Sequence, residues 1–194
     1  MTIEVKNLDK LLDGLYDKKL ICFASIPLWD AFPNFSAMNI CEKLHTRGKV
    51  LYISYEANIK FIEKEILKIN SQTDFEVINL IEGECMMGID KVIDIIENDN
   101  DIKYVIIDDL NCLMTTSRKE YSDITKKLKN YALKKKITIF TIFIMSRNLE
   151  KQIERGIIKK VGLVDLDKSG LSDSDFDSIV VAYKNDDIKY EVLK

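Results

Sequence analysis

The sequence predicts a single α/β domain with a mostly parallel central sheet. Apolar, β-branched runs alternate with helical patterns along all 194 residues, without a long linker, repeat or low-complexity stretch. The segments between these runs are long enough for the crossover connections that parallel strands require, so helices should cover both faces of the sheet. The length suits one domain with a core several side chains deep, covering residues 1–194.

Seven apolar runs are predicted to be strands. The run at 137–144 is continuously apolar apart from two Thr, which indicates a strand buried on both faces. The last two runs are joined through Asn185, Asp186 and Asp187, a composition typical of a hairpin turn. In chain order the predicted strands cover residues 19–25, 50–55, 76–80, 103–108, 137–144, 178–183 and 188–193.

Helical spacing of apolar residues predicts four helices between the strands. The first starts near Phe35, and Gly48 is expected to end it with a left-handed cap. Asn58 is placed to cap a second helix, whose apolar face extends to residue 69. The third and fourth helices cover residues 89–96 and 121–131, and the polar region between residues 144 and 178 is predicted to be irregular.

Charge and hydropathy exclude several classes of protein. The 29 basic and 32 acidic residues give a net charge of −3, so no global cationic field captures nucleic acid. The longest apolar run, 137–145, is too short to span a bilayer. Because the first ten residues are polar and lack a secretion signal, we expect a cytoplasmic protein without membrane contact.

The cysteines and the histidine offer no chemistry of their own. Cys22, Cys41, Cys85 and Cys112 are scattered among apolar neighbours, without the short spacing of a zinc or redox motif, and are interpreted as core residues. His45 lies at the end of the first predicted helix and is interpreted as a surface or capping residue. We therefore predict no metal site.

Acidic residues follow two of the predicted strands. The carboxyl ends of the parallel strands are Ser25, Glu56, Asp108 and Ile144. Ligands bind at this edge in open parallel sheets. Glu56 and Asp108 would thus lie where a nucleotide enzyme keeps a base and a metal-binding carboxylate.

Five segments, in order, resemble the carboxyl-terminal RecA-like motor domain of DnaB-type replicative helicases. The most specific part is SRNLEKQ followed by DLDKSGLSDSDFDSIVVAY, which is similar to the DnaB order of an SR loop, an SDLRESG-like turn and a D-A-D strand start. The segments are LDKLLDGLYDKKLICFA, KVLYISYE, KYVIIDDLNCLM, ITKKLKNYALKKKITIFTIFIMSRNLEKQ and LVDLDKSGLSDSDFDSIVVAYKND.

This resemblance implies a three-layer, RecA-like P-loop NTPase fold. The strand at 137–144 should lie between the strands that end at Ser25 and Asp108. Asp108 matches the Walker B aspartate that holds magnesium through water, and Glu56 matches the glutamate that polarises the attacking water. Ile144 stands where the family carries a Gln.

The phosphate loop of the family has no counterpart in this chain. A P-loop needs glycines, a Lys and a Ser or Thr around the phosphates. The matching residues 24–36 read ASIPLWDAFPNFS, and no glycine occurs between residues 15 and 47. Asp30 adds negative charge and Pro33 removes an N–H donor, in a loop that also contains Pro27 and Trp29. We expect no ATP or magnesium cofactor.

Aromatic side chains in this loop are expected to fill the vacated site. Trp29, Phe32 and Phe35 would form a sticky patch if exposed, so at least one of them should pack inward. Stacking of these rings on nucleic acid bases is the alternative interpretation.

Three functions remain open. The first is a catalytically inactive DnaB-helicase-like domain, acting as a protein-interaction or regulatory module in DNA replication and binding itself, a DnaB-type helicase or another replication protein. The second is an ATPase or nucleotide-binding protein with an atypical P-loop that uses Glu56 and Asp108.

The third function is DNA binding without ATPase activity. It depends on Arg118 and Lys119 and on six lysines of the fourth predicted helix, which are equally well interpreted as a solvated helix face. With so few cations, such binding would be weak and salt-sensitive. The six are Lys126, Lys127, Lys129, Lys134, Lys135 and Lys136.

Overall fold

A seven-stranded sheet forms the centre of the structure, a computed structural model. It describes residues 6–25, 32–55, 64, 75–79, 81–82, 85–86, 88–113, 118–168, 170–184 and 188–194. The strands are β1 (Leu20–Ser25), β2 (Lys49–Ser54), β3 (Phe75–Asn79), β4 (Ile81–Glu82), β5 (Cys85–Met86), β6 (Ile102–Asp108), β7 (Thr138–Ile144), β8 (Ser178–Lys184) and β9 (Ile188–Val192). The pair β4 and β5 forms a separate two-stranded sheet.

The strand order confirms the order that the resemblance implied. It is β3-β2-β6-β7-β1-β8-β9, so β7 lies between β6 and β1. Each of the first six strands in this order runs parallel to its neighbours, and β9 pairs antiparallel with β8 as the predicted closing hairpin. The carboxyl ends of the parallel strands therefore lie at one edge of the sheet.

Helices cover both faces of the sheet and make three layers. The described helices are α1 (Lys6–Asp13), α2 (Phe32–Leu44), α3 (Ile89–Glu97), α4 (Arg118–Lys135), α5 (Arg147–Glu154) and α6 (Leu163–Lys168). Buried residues of α1 and α2 pack on one face with Phe140 of β7, whereas α3 and α4 pack on the other face with Phe143. This two-sided burial explains the continuous apolar run of β7.

Three described helices were not predicted. The region after β7 was expected to be irregular, yet it contains α5 and α6, and α1 precedes the first predicted strand. Ser146 caps α5, because its Oγ accepts a hydrogen bond from the Leu149 amide at 3.3 Å. The predicted helix from Asn58 to residue 69 lies outside the described residues, apart from Lys64.

The predicted left-handed cap at Gly48 is wrong. A 3-10 turn, His45–Arg47, follows α2, and Gly48 then adopts φ 156° and ψ 176°. A residue with a Cβ is strained in this conformation, and a Cβ would also approach Lys103 Cγ to 3.1 Å. Gly48 thus allows the chain to turn into β2 beside the start of β6.

Three of the four cysteines have described surroundings, and these agree with a place in or against the core. Cys22 and Cys41 are buried and Cys112 is half-buried. Burial raises the pKa of Cys22 to about 12, so its thiol stays protonated and inert. Within the described segments, no helix combines the length and apolarity that a bilayer crossing requires.

Candidate functional site

The carboxyl ends of four parallel strands lie side by side and define the candidate site. Ser54 of β2 is paired in register with Asp108 of β6, and Ser25 of β1 with Ile144 of β7. Asp108 therefore lies at the edge where the sequence predicted it. Glu56, two residues beyond Ser54, lies outside the described residues.

Asp108 is a buried carboxylate that a protein hydroxyl already binds. The residue is 2% exposed, and the hydroxyl of Tyr52, itself fully buried on β2, donates a hydrogen bond to Asp108 Oδ2. The Tyr55 amide donates to the Asp108 carbonyl at 2.8 Å. Burial, together with the nearby Asp108 charge, raises the pKa of Cys41, which places this carboxylate on the face covered by α2. Sequence reasoning missed Tyr52, because a contact between strands leaves no local pattern.

The loop after β6 is fastened to the end of β7. Asn111 Nδ2 donates to the Ile144 carbonyl at 3.0 Å, and the Ile144 amide donates to Asn111 Oδ1 at 2.8 Å. Asp109 accepts from the Cys112 amide at 2.9 Å, and burial raises the pKa of its carboxyl. The side chain of Asn111 thus pairs with β7 as a further strand would, holding the loop beside the candidate site.

A magnesium ion does not fit the donors that the structure describes. Asp108 is the one carboxylate among the four strand-end residues, and its Oδ2 accepts from Tyr52. Across the described residues, no group of three or more His, Cys, Asp and Glu could hold a metal ion. Ser25 Oγ is buried and has no hydrogen-bond partner within the described segments, but a hydroxyl alone is a poor magnesium ligand.

Most of the predicted phosphate-loop residues lie outside the described part of the chain. Pro27, Trp29 and Asp30 belong to the segment 26–31. Pro33 is the second residue of α2, in the first turn of a helix, where no intrahelical acceptor is available to its nitrogen. The inward packing of an aromatic ring stays a prediction.

The predicted nucleic-acid residues fall at or within α4. Arg118 and Lys119 are its first two residues, directly after the segment 114–117, which is not described. Four lysines of α4 bind acceptors on neighbouring elements: Lys127 with Asp90 at 3.2 Å, Lys129 with Asp177 at 2.7 Å, Lys134 with Glu97 at 3.6 Å and Lys135 with Asn100 at 3.0 Å. These contacts favour the interpretation as a solvated helix face.

Asp175 fastens the start of β8 to α4. The residue is 4% exposed, and its carboxylate accepts from Thr125 Oγ1 at 2.9 Å and from Ser122 Oγ at 3.2 Å. A buried carboxylate needs such donors, because burial without them is costly. The first aspartate of the D-F-D segment, residues 175–177, therefore has a structural role.

Asp177, the second aspartate, joins three elements. Its Oδ2 accepts from the amides of Lys19 at 2.9 Å and Leu20 at 3.1 Å, and its Oδ1 pairs with Lys129 Nζ at 2.7 Å. Burial acts to raise the pKa of Asp177, but the hydrogen bonds from Lys129 and from the two amides outweigh it and lower the pKa. The ionised carboxylate thus holds β8, the start of β1 and α4 together.

We predict that Asp177→Asn lowers the free energy of unfolding by about 1–3 kcal/mol at neutral pH, because charge-assisted bonds are lost. Since the folded pKa is below the ordinary value, this stabilisation is complete above the unfolded pKa of about 4 and disappears as the pH falls through the folded pKa. Urea unfolding of both proteins at several pH values measures it.

The matched control for this experiment is Asp123→Asn, on the exposed side of α4. It should leave the stability within about 0.5 kcal/mol of wild type. A stability difference between wild type and Asp177→Asn that stays constant down to pH values well below the ordinary carboxyl pKa would contradict the assigned role.

We predict that Tyr52→Phe destabilises the fold by about 1–3 kcal/mol, because it leaves the buried Asp108 carboxylate without its phenol donor. Tyr104→Phe is the control, since Tyr104 lies on the same face of the sheet and its hydroxyl makes no hydrogen bond to a described residue. Thermal or urea unfolding measures both variants. Equal losses, or an unaffected Tyr52 variant, would show that this bond does not stabilise the fold.

Comparisons with known proteins identify the fold. No protein-family model matches the chain, and no curated protein sequence matches it. The structure is similar to a solved helicase ATPase domain, with a TM-score of 0.68 and 16% identity over 91% of this chain and 76% of that one. It is also similar to a DnaB-like replicative helicase solved to show its interactions with primase, with a TM-score of 0.64 and 16% identity over 87% of this chain. The chain spans about half of that helicase, 48%. The chain thus has the RecA-like fold of DnaB-like helicase ATPase domains.

Proposed function

We propose that this chain is a DnaB-helicase-like domain that does not hydrolyse ATP and acts as a protein-interaction module in DNA replication. The observation that carries the proposal is the state of Asp108, which is buried and hydrogen-bonded by Tyr52. In an ATPase of this fold, the corresponding carboxylate must be available to magnesium and its water.

The residues of the phosphate loop support the same conclusion. Successive backbone N–H groups close around phosphates only where glycines permit it, and residues 15–47 contain none. A charge-assisted hydrogen bond contributes about 1.5–3 kcal/mol, so losing the Lys and two such donors would cost well over a thousandfold in nucleotide affinity. Asp30 adds repulsion. Neither ATP nor magnesium is therefore proposed as a cofactor.

Protein association is the function that the remaining features favour. A domain without nucleotide chemistry can still keep the surfaces by which such domains assemble, since fold and chemistry are separable. One structural neighbour was solved to show its interactions with primase, which favours a replication protein as partner. The proposed partners are a second copy of this chain, a DnaB-type helicase or another replication protein, and the proposed location is the cytoplasm.

One observation favours a second candidate function. Asp108 lies at the carboxyl edge of the sheet, directly beside the end of β2, after which Glu56 follows. An ATPase with an atypical loop would use these two carboxylates. Hydrolysis measurements distinguish the candidates.

We predict that the purified protein releases no phosphate from ATP and magnesium beyond the rate of the buffer, and that ATP with magnesium does not raise its melting temperature. The reason is the missing cradle together with the Tyr52 contact to Asp108. Glu56→Gln is the control and should behave as wild type does. Turnover that this substitution abolishes would instead establish the ATPase function.

We predict that sedimentation of the protein changes with its own concentration or on addition of a DnaB-type helicase, because the proposed activity is association. DNA binding should be secondary at a net charge of −3. A monomer that responds to neither, yet binds single-stranded DNA below about 1 μM at physiological salt, would reverse this order.

A further inference from the structure

A groove opens at the edge of the sheet opposite to Asp108. It lies between α1, the turn that follows it and β9, and has a volume of about 630 Å³. Its lining includes Lys18, just before β1, and Ser178, the first residue of β8, so it lies at the amino ends of the parallel strands. This size is in the range of binding clefts rather than of packing defects.

The floor of the groove is apolar. It contains Leu11 and Leu15 from the α1 side and Tyr190 and Val192 from β9. Leu15 is buried, whereas Val192 is 47% exposed, one of the few large apolar side chains among the described residues with so much contact to water. An apolar side chain of a partner would therefore gain contact area here.

The rim of the groove carries positive charge only. Three lysines line it, namely Lys10, Lys18 and Lys194, and no acidic residue does. Lys10 and Lys18 are exposed and make no ion pair with a described residue, while Lys194 Nζ donates to the Asp173 carbonyl at 2.7 Å. A chain of net charge −3 thus presents a local cationic rim around an apolar floor.

Nearby acidic side chains do not neutralise this rim. Asp13, at the end of α1, binds Arg47 at 2.8 Å, away from the groove lining. Glu191 alternates with Tyr190 and Val192 along β9, so it points to the opposite face of the sheet, where it pairs with Lys160. Asp17 is exposed and is not part of the lining.

The backbone of β9 offers a second binding element. β9 is the last strand in the sheet order, and its far edge faces no other described strand. An extended peptide that pairs with such an edge places every second side chain on the same face. For β9 that face is the one of Tyr190 and Val192, which contains the groove.

We propose that this groove binds an extended, acidic segment of a partner protein, which pairs with β9, places apolar side chains on the floor and brings carboxylates to Lys10, Lys18 and Lys194. The inference names a site and a partner chemistry for the proposed interaction role, on which it rests. Peptide binding is measured independently of nucleotide turnover, so either proposal can fail without the other.

The test uses the whole chain and a fluorescein-labelled peptide of about twelve residues in which Glu and Leu alternate, titrated by fluorescence anisotropy. We expect micromolar binding that weakens with salt, and loss of about tenfold or more in Lys10→Glu/Lys18→Glu. The charge-matched control is Lys91→Glu/Lys151→Glu, on exposed positions of α3 and α5. It should bind within about twofold of wild type.

A second variant blocks the groove without changing its charge. Gly14 lines the groove, and a Cβ built there meets only the Leu11 carbonyl, at 3.6 Å. Gly14→Phe therefore has room at Cβ and should weaken binding by about tenfold while circular dichroism and melting stay close to wild type.

Three results would overturn the proposal. The first is the absence of peptide binding below about 1 mM, and the second is unchanged affinity in Lys10→Glu/Lys18→Glu. The third is an oligothymidine that binds the same lysines more tightly than the peptide, which would assign the groove to nucleic acid. Sedimentation of wild type against Gly14→Phe tests a second copy as occupant: self-association that Gly14→Phe abolishes, without peptide binding, would replace the acidic peptide by this chain itself.

Discussion

Because helices cover both faces of β7, the polar groups of its backbone must pair with the strands beside it, and most of the architecture depends on this requirement. Phe140 and Phe143 of β7 point to opposite faces and both are buried. Unpaired N–H and C=O groups in such surroundings would be costly. β7 therefore needs β6 on one side and β1 on the other, and this placement brings Asp108, Ile144 and Ser25 to one edge.

Side-chain contacts complete the pairing where the strands end. Asn111 binds both backbone groups of Ile144 at the carboxyl edge. At the amino edge, Asp177 binds the amides that lead into β1. The two ends of the sheet are thus closed by polar side chains from neighbouring loops, and the D-F-D segment that resembles a helicase motif has a purely structural explanation in the described residues.

The sequence allowed the strands to be predicted more reliably than the site. Continuous apolar runs located the seven strands of the main sheet to within about two residues, but alternation gives no strand order, which came from the resemblance. α5 escaped prediction because it buries one residue, Leu149, and so has almost no apolar stripe. The bond between Tyr52 and Asp108 could not be predicted, since the two residues are 56 positions apart and meet only through strand pairing. Glu56, Pro27, Trp29 and Asp30 lie outside the described residues, so the sequence remains their only source.

The contact between Tyr52 and Asp108 also bears on what a retained motif residue means. A carboxylate buried at the end of β6 costs free energy unless a donor or a cation satisfies it. In an active ATPase of this fold, the metal and its water would do so; here a phenol from the next strand provides the donor. The aspartate then contributes to the stability of the sheet edge whether or not nucleotide binds. Its presence at the Walker B position is therefore weak support for hydrolysis, whereas the glycines and the Lys of a phosphate loop, which serve no comparable structural purpose, are the residues whose absence is informative.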